Sequence, residues 1–87
     1  MEREKQLEEM AFKSVPARLA ALLLGLADET GEVSGYSHQA LAELLGVYRE
    51  TVTSTLDAFK ARGAIEIGRK RIRLVDRKAL AAIADSP

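Results

Sequence analysis

Arginine and glutamate stand side by side at positions 49 and 50, followed by hydroxyls at Thr51, Thr53 and Ser54. A guanidinium donates two parallel hydrogen bonds to guanine O6 and N7, and a carboxylate accepts from cytosine N4, so the pair is equipped to read base edges. Glu50 is the sharper clue. A carboxylate repels phosphate, so on a nucleic acid it costs affinity unless it reads a base or orients the arginine beside it. The plainer alternative is a charge pair at a helix start, with Glu50 favoured by the positive end of the helix dipole. Thr53 and Ser54 complete the candidate base-reading set.

Reading a groove requires a helix anchored by its other face. From Arg49 to about Arg62 the apolar residues Val52, Leu56 and Phe59 fall on one stripe, leaving Arg49, Glu50, Thr53 and Ser54 opposite it. Gly63 follows as the residue after the helix. Just upstream, SHQALAELLG predicts a shorter helix capped by Ser37, with Leu41, Leu44 and Leu45 on its apolar stripe and Gly46 at its end. Ala42, Gly46 and Val52 fall where two helices joined by a tight turn need a small residue, a turn former and a β-branched anchor. A second helix held this way has the shape that enters a DNA major groove.

The flanks complete the fold. Ser14 is the expected N-cap of a helix running from Pro16 to about Asp28, with Leu19, Leu22, Leu23 and Leu26 on its core stripe. TGEVSGY is a turn-rich connection in which Val33 or Tyr36 forms a brief strand. AIEIGRKRIRLVD reads as a hairpin around Gly68-Arg69-Lys70, and Asp76 caps a last helix to about Ala84 with Leu80 and Ile83 facing inward. The expected fold class is mainly α with a small β-hairpin (α+β): a winged helix-turn-helix, three-helix core plus wing, over residues 13–87. Residues 1–12 read as the last turns of a longer helix.

Eighty-seven residues support one small core. Cysteine is absent and histidine occurs once, which excludes disulfides and thiolate metal sites within the chain and makes any metal or cofactor unexpected. No carboxylate–histidine constellation or phosphate-cradling glycine loop suggests catalysis. The longest apolar run, Leu19–Leu24, is too short for a membrane span, and a cytoplasmic location is the default expectation. The net charge is zero, but its distribution is uneven. Residues 1–48 carry four cations against eight carboxylates, whereas residues 49–73 carry seven against three. Positive charge therefore gathers on the reading helix and hairpin, as on a DNA-facing surface.

Backbone anchoring should come from groups that register a protein on a duplex without reading sequence. Ser37, His38 and Gln39 open one helix, where free N–H groups also favour an anion. Tyr48 and Thr51 add hydroxyls at the start of the reading helix, and Arg69, Lys70 and Arg71 gather at the hairpin tip, with Arg73 on one strand face.

The string GVYRETVTSTL and the order of elements around it resemble the C-terminal DNA-binding domain of the Crp/Fnr family of bacterial transcription regulators. AFKSVPARLAALLLGLAD is similar to that family's hinge and first DNA-domain helix, and GAIEIGRKRIRLVDRKAL to its wing and closing helix. The resemblance implies base reading by Arg49 and Glu50 and phosphate contact by Ser37, His38 and Gln39. Ser54 stands where the family often carries a second arginine, and Tyr48 where a small hydroxyl residue is usual. The resemblance also implies a sensor barrel ahead of this domain and a dimer-forming helix, of which residues 1–12 look like the end; the chain then reads as the DNA-binding end of a regulator, excised or naturally short. Expected partners are double-stranded DNA with an inverted-repeat operator, a second copy through the N-terminal helix, and RNA polymerase. The competing expectation is a winged helix used as a protein–protein module, which needs neither a basic wing nor a polar reading face.

Overall fold

The computed structural model describes residues 13–87, so the expected dimer-helix remnant at 1–12 lies outside the described residues. The elements are α1 (Val15–Leu26), β1 (Glu32–Ser34), α2 (His38–Leu45), α3 (Arg49–Ala61), β2 (Ile65–Gly68), β3 (Arg71–Leu74) and α4 (Arg77–Asp85). Three helices start on side-chain caps. Ser14 accepts from the Ala17 N–H at 3.3 Å, Ser37 from Ala40 at 3.0 Å, and Asp76 from Ala79 at 3.0 Å.

α2 and α3 both end in a left-handed residue, Gly46 at φ 70° and Gly63 at φ 75°. After α2 the Val47 N–H returns to the Ala42 carbonyl at 3.0 Å. After α3 the Ala64 N–H returns to Phe59, also at 3.0 Å. These bonds satisfy carbonyls that a helix end would otherwise leave open. The turn between α2 and α3 is therefore set by the backbone. The Arg18 guanidinium pins it further, donating to the Leu45 carbonyl at 2.6 Å.

One core gathers Leu19 and Leu23 of α1, Leu41, Ala42 and Leu45 of α2, the Val52–Leu56–Phe59 stripe of α3, the inward residues of the sheet, and Leu80 and Ala84 of α4. Val52 and Leu56 are completely buried and Phe59 is 1% exposed. Burying side chains of this size contributes about 1.5–3 kcal/mol each, so α3 is held firmly by its apolar face, leaving its polar face to solvent.

The sheet is larger than the expected hairpin. β1 joins it as an edge strand in the order β1-β3-β2, all antiparallel, with Val33 opposite Ile72 and Ile67 opposite the same residue from the other side. Val33 is the strand residue in TGEVSGY; Tyr36 lies beyond the strand, half-buried against the core.

Two other expectations are corrected. α1 stops at Leu26 rather than near Asp28, because the Asp28 carboxylate accepts from the Thr30 N–H (2.8 Å), the Thr30 hydroxyl (2.6 Å) and the Glu32 N–H (3.1 Å), a local turn that competes with helix. Leu22 and Leu26 pack half-buried against the core, as their stripe predicts, while Ala17 and Ala20 take tighter positions. Leu44 is 58% exposed. At about 100° per residue, the buried face of α2 centres between Leu41, Ala42 and Leu45 and turns Leu44 outward. On α4, Ile83 packs half-buried against the core as expected, beside the buried Leu80 and the small Ala84.

Candidate nucleic-acid interface

α3 presents its polar face where its sequence pattern predicts. Arg49 and Glu50 occupy its first turn, with Arg49 Nη2 3.8 Å from Glu50 Oε1 and the side chains 61% and 77% exposed. A pair this open and this long contributes little to stability, so either partner is free to exchange it for another ligand. Arg49, Glu50, Thr53 and Ser54 line one shallow depression together with Asp57. All four residues predicted from sequence to read bases are thus brought to a single surface. Asp57, one turn beyond Thr53, is the acidic member sequence reasoning left outside that set.

Tyr48 sits in the N-cap position of α3, is 81% exposed, and makes no side-chain bond to the helix. The hydroxyl is too far along the ring to reach its own helix's N–H groups, so the phenol projects from the turn. Thr51 is half-buried, and its carbonyl accepts from the Ser54 hydroxyl at 3.1 Å and the Thr55 hydroxyl at 2.7 Å.

The predicted phosphate-contacting residues divide. Ser37 and His38 share a cleft of about 200 Å³ with Lys70 and Arg71 of the wing, walled by Tyr36 and Gly68. The Gly35 N–H donates to the Lys70 carbonyl at 3.2 Å and ties the α2 entry to the wing tip. Gln39 points elsewhere along α2, donating to Glu43 at 3.3 Å. Arg69 is exposed at the tip and does not line the cleft.

Carboxylates temper the wing. Arg71 Nε lies 2.9 Å from Glu32 Oε1, and Arg73 Nη1 lies 3.6 Å from Glu66 Oε1. Among the described residues Arg69 and Lys70 have no such partner. Glu32 escaped sequence reasoning because its neighbour is set by strand pairing. Only with β1 beside β3, and Ser34 opposite Arg71, do the two side chains meet. Lys70 adopts φ 54°, a left-handed conformation that favours glycine or asparagine over lysine. Of the titratable groups near the sheet, Asp28 is perturbed: the Thr30 hydroxyl first, then the Glu32 N–H, hold its carboxyl below the ordinary 3.8. It belongs to the loop before β1 and lines neither depression.

Residues 17–83 match the Crp-like helix-turn-helix domain. The chain belongs to that family. Its relatives in the Crp/Fnr group include the transcriptional regulator SdrP of Thermus thermophilus, 34% identical over 92 residues that take in 98% of this chain and 46% of the relative. A CRP-like cAMP-activated global transcriptional regulator of Mycobacterium tuberculosis is 34% identical over 83 residues, covering 86% of this chain and 37% of the relative. The chain thus spans less than half the length of these relatives. Among solved structures, a CRP/FNR-family transcriptional regulator of Thermus thermophilus superposes with a TM-score of 0.81 at 32% identity, over 98% of this chain and 47% of that one. A crp/fnr-family regulator from Eubacterium rectale gives a TM-score of 0.84 at 30% identity, over 92% and 38%. The Crp-like match covers α1 to most of α4, so both depressions lie inside it. The chain is the DNA-binding domain of a Crp/Fnr-type regulator, and its relatives are transcription regulators rather than enzymes. No helix among the described residues is long and apolar enough to cross a membrane.

Proposed function

We propose that this domain reads a specific DNA sequence by laying α3 in the major groove and bracing it on the phosphates at either side. Arg49 and Glu50 address base edges from the first turn, with Thr53 and Ser54 behind them. Ser37, His38, Gln39, Tyr48 and Thr51 contact one stretch of backbone, and Arg69, Lys70 and Arg71 contact the flanking stretch. The observation that carries this reading is the exposure of Arg49 and Glu50 side by side on the free face of a helix whose other face is completely buried.

Two copies would present their reading helices one DNA turn apart, about 34–36 Å, which matches an inverted-repeat operator. Residues 1–12 would supply the contact between copies. RNA polymerase is the natural further partner of a transcription regulator, and the cytoplasm its compartment. A binding selection on a randomised duplex library at two salt concentrations tests the reading. An enriched inverted repeat supports a dimeric reader, and a single enriched half-site supports a monomeric one. No enrichment at low salt overturns sequence reading by this chain.

A further inference from the structure

Three consecutive hydroxyls on α3 do not behave alike. Ser54 and Thr55 both donate back to the Thr51 carbonyl, the ordinary habit of hydroxyls on a helix. Thr53 instead meets His38 across the helix pair, with Oγ1 2.8 Å from Nδ1. The imidazole is half-buried at the first position of α2 and lines the cleft beside the wing, whereas Thr53 lines the depression that holds Arg49 and Glu50. This hydrogen bond is the direct polar link between the two surfaces.

We propose that His38 is a positioning residue for base readout: its ring nitrogen decides whether the Thr53 hydroxyl donates to the base it meets or accepts from it. The proposal rests on α3 being the groove helix. A threonine hydroxyl has one hydrogen and two lone pairs, and a neutral imidazole has one donor and one acceptor nitrogen. Phosphate oxygens only accept. A neutral His38 that contacts phosphate through Nε2 keeps its one proton there, which makes Nδ1 the acceptor. Thr53 must then donate to Nδ1, and its oxygen faces the groove with lone pairs alone. Such an oxygen accepts from the exocyclic amino groups of adenine N6 or cytosine N4 and finds no partner in guanine O6/N7 or thymine O4. Phosphate contact on one side of the ring thereby sets base preference on the other. Neither residue specifies this outcome alone.

The test is the sequence preference of the 87-residue chain, measured on a randomised duplex library at low salt, for the wild type and for His38→Ala, His38→Asn, Thr53→Val and the double variant His38→Ala/Thr53→Val. Thr53→Val removes the hydroxyl at nearly constant volume and identifies the base pair concerned. There the wild type should favour the orientation that puts the amino-bearing base of the pair (adenine or cytosine) on the strand Thr53 faces, by roughly tenfold over the same pair reversed, toward the lower end of what a good base contact supplies. His38→Ala should abolish that preference at the same base pair and leave the Arg49 position unchanged, and the double variant should lose no more than either single. His38→Asn, whose side-chain oxygen can accept from Thr53, should restore most of it. A preference that survives His38→Ala while Thr53→Val removes it overturns the positioning role and leaves groove reading by α3 intact. A preference that persists when the amino-bearing base of that pair is replaced by its analogue without the exocyclic amino group (purine for adenine, 2-pyrimidinone for cytosine) overturns the assigned direction of the bond. A wild type with no preference at any position overturns both.

Discussion

The start of α3 and the tip of the wing both present arginine to solvent and are built on opposite plans. The arginine of α3 sits on a rigid helix locked by Val52, Leu56 and Phe59, with the neighbouring glutamate 3.8 Å away and both side chains open. The wing's cations sit at one end of a three-stranded sheet, one at a left-handed backbone position and two facing carboxylates on neighbouring strands. A fixed frame holds a donor to the tolerance that a base edge demands. A wing tip needs only to bring charge near a phosphate, whose field is long-ranged and tolerant of angle. Specificity and affinity are therefore expected to separate on mutation.

Arg49→Ala should produce the largest effect, flattening discrimination at one base pair by about 1–3 kcal/mol while binding to unrelated DNA changes little. Competition binding with single-base operator variants measures it, and an unchanged preference would sink the base-reading role. Lys70→Ala/Arg71→Ala should do the converse, weakening all sequences alike and lowering the slope of log affinity against log salt by about two. If the double variant altered preference at a single pair instead, the division between helix and wing would fail.

Glu32→Gln sharpens the comparison. It frees Arg71 from its 2.9 Å partner and removes a negative charge from the phosphate side, so DNA should bind a few-fold more tightly with a steeper salt dependence. Weaker binding would mean that Glu32 aims Arg71 rather than masks it. Lys70→Gly should stabilise the fold by about 0.5–1 kcal/mol, by relieving a lysine at positive φ, yet weaken DNA binding; urea titration and a binding isotherm read the two effects separately. The smallest effect belongs to Asp28. Its carboxyl is held below 3.8, so its ionised form favours the folded state above that value, and the contribution is lost as pH falls through the lowered one. Asp28→Asn should flatten that acid component of stability and leave DNA binding at neutral pH untouched.

Much of the architecture was legible because it is written locally. Ser14, Ser37 and Asp76 announce helix starts through their own side chains, Gly46 and Gly63 announce ends through a backbone that other residues avoid, and the Val52–Leu56–Phe59 spacing names the buried face of α3. The candidate base-reading residues followed by subtraction, as the polar residues opposite the apolar stripe of α3, although the Thr53 bond to His38 is invisible to that reasoning. Leu44 shows where this reasoning falls short. Its spacing fits a helical stripe, but the face of α2 that is buried depends on where α1 and α3 lie, and that leaves the leucine in solvent.

The sequence by itself determined the helices, their caps, the turn between α2 and α3, and the residues at the start of α3, because each rests on interactions within a few positions along the chain. Tertiary structure alone decided that β1 would edge the wing and bring Glu32 to Arg71, that Ser37 and His38 would share a cleft with Lys70 and Arg71, and that His38 would take the Thr53 hydroxyl. Those meetings join residues far apart along the chain. They depend on strand register and helix packing, which the whole core sets and no local pattern encodes.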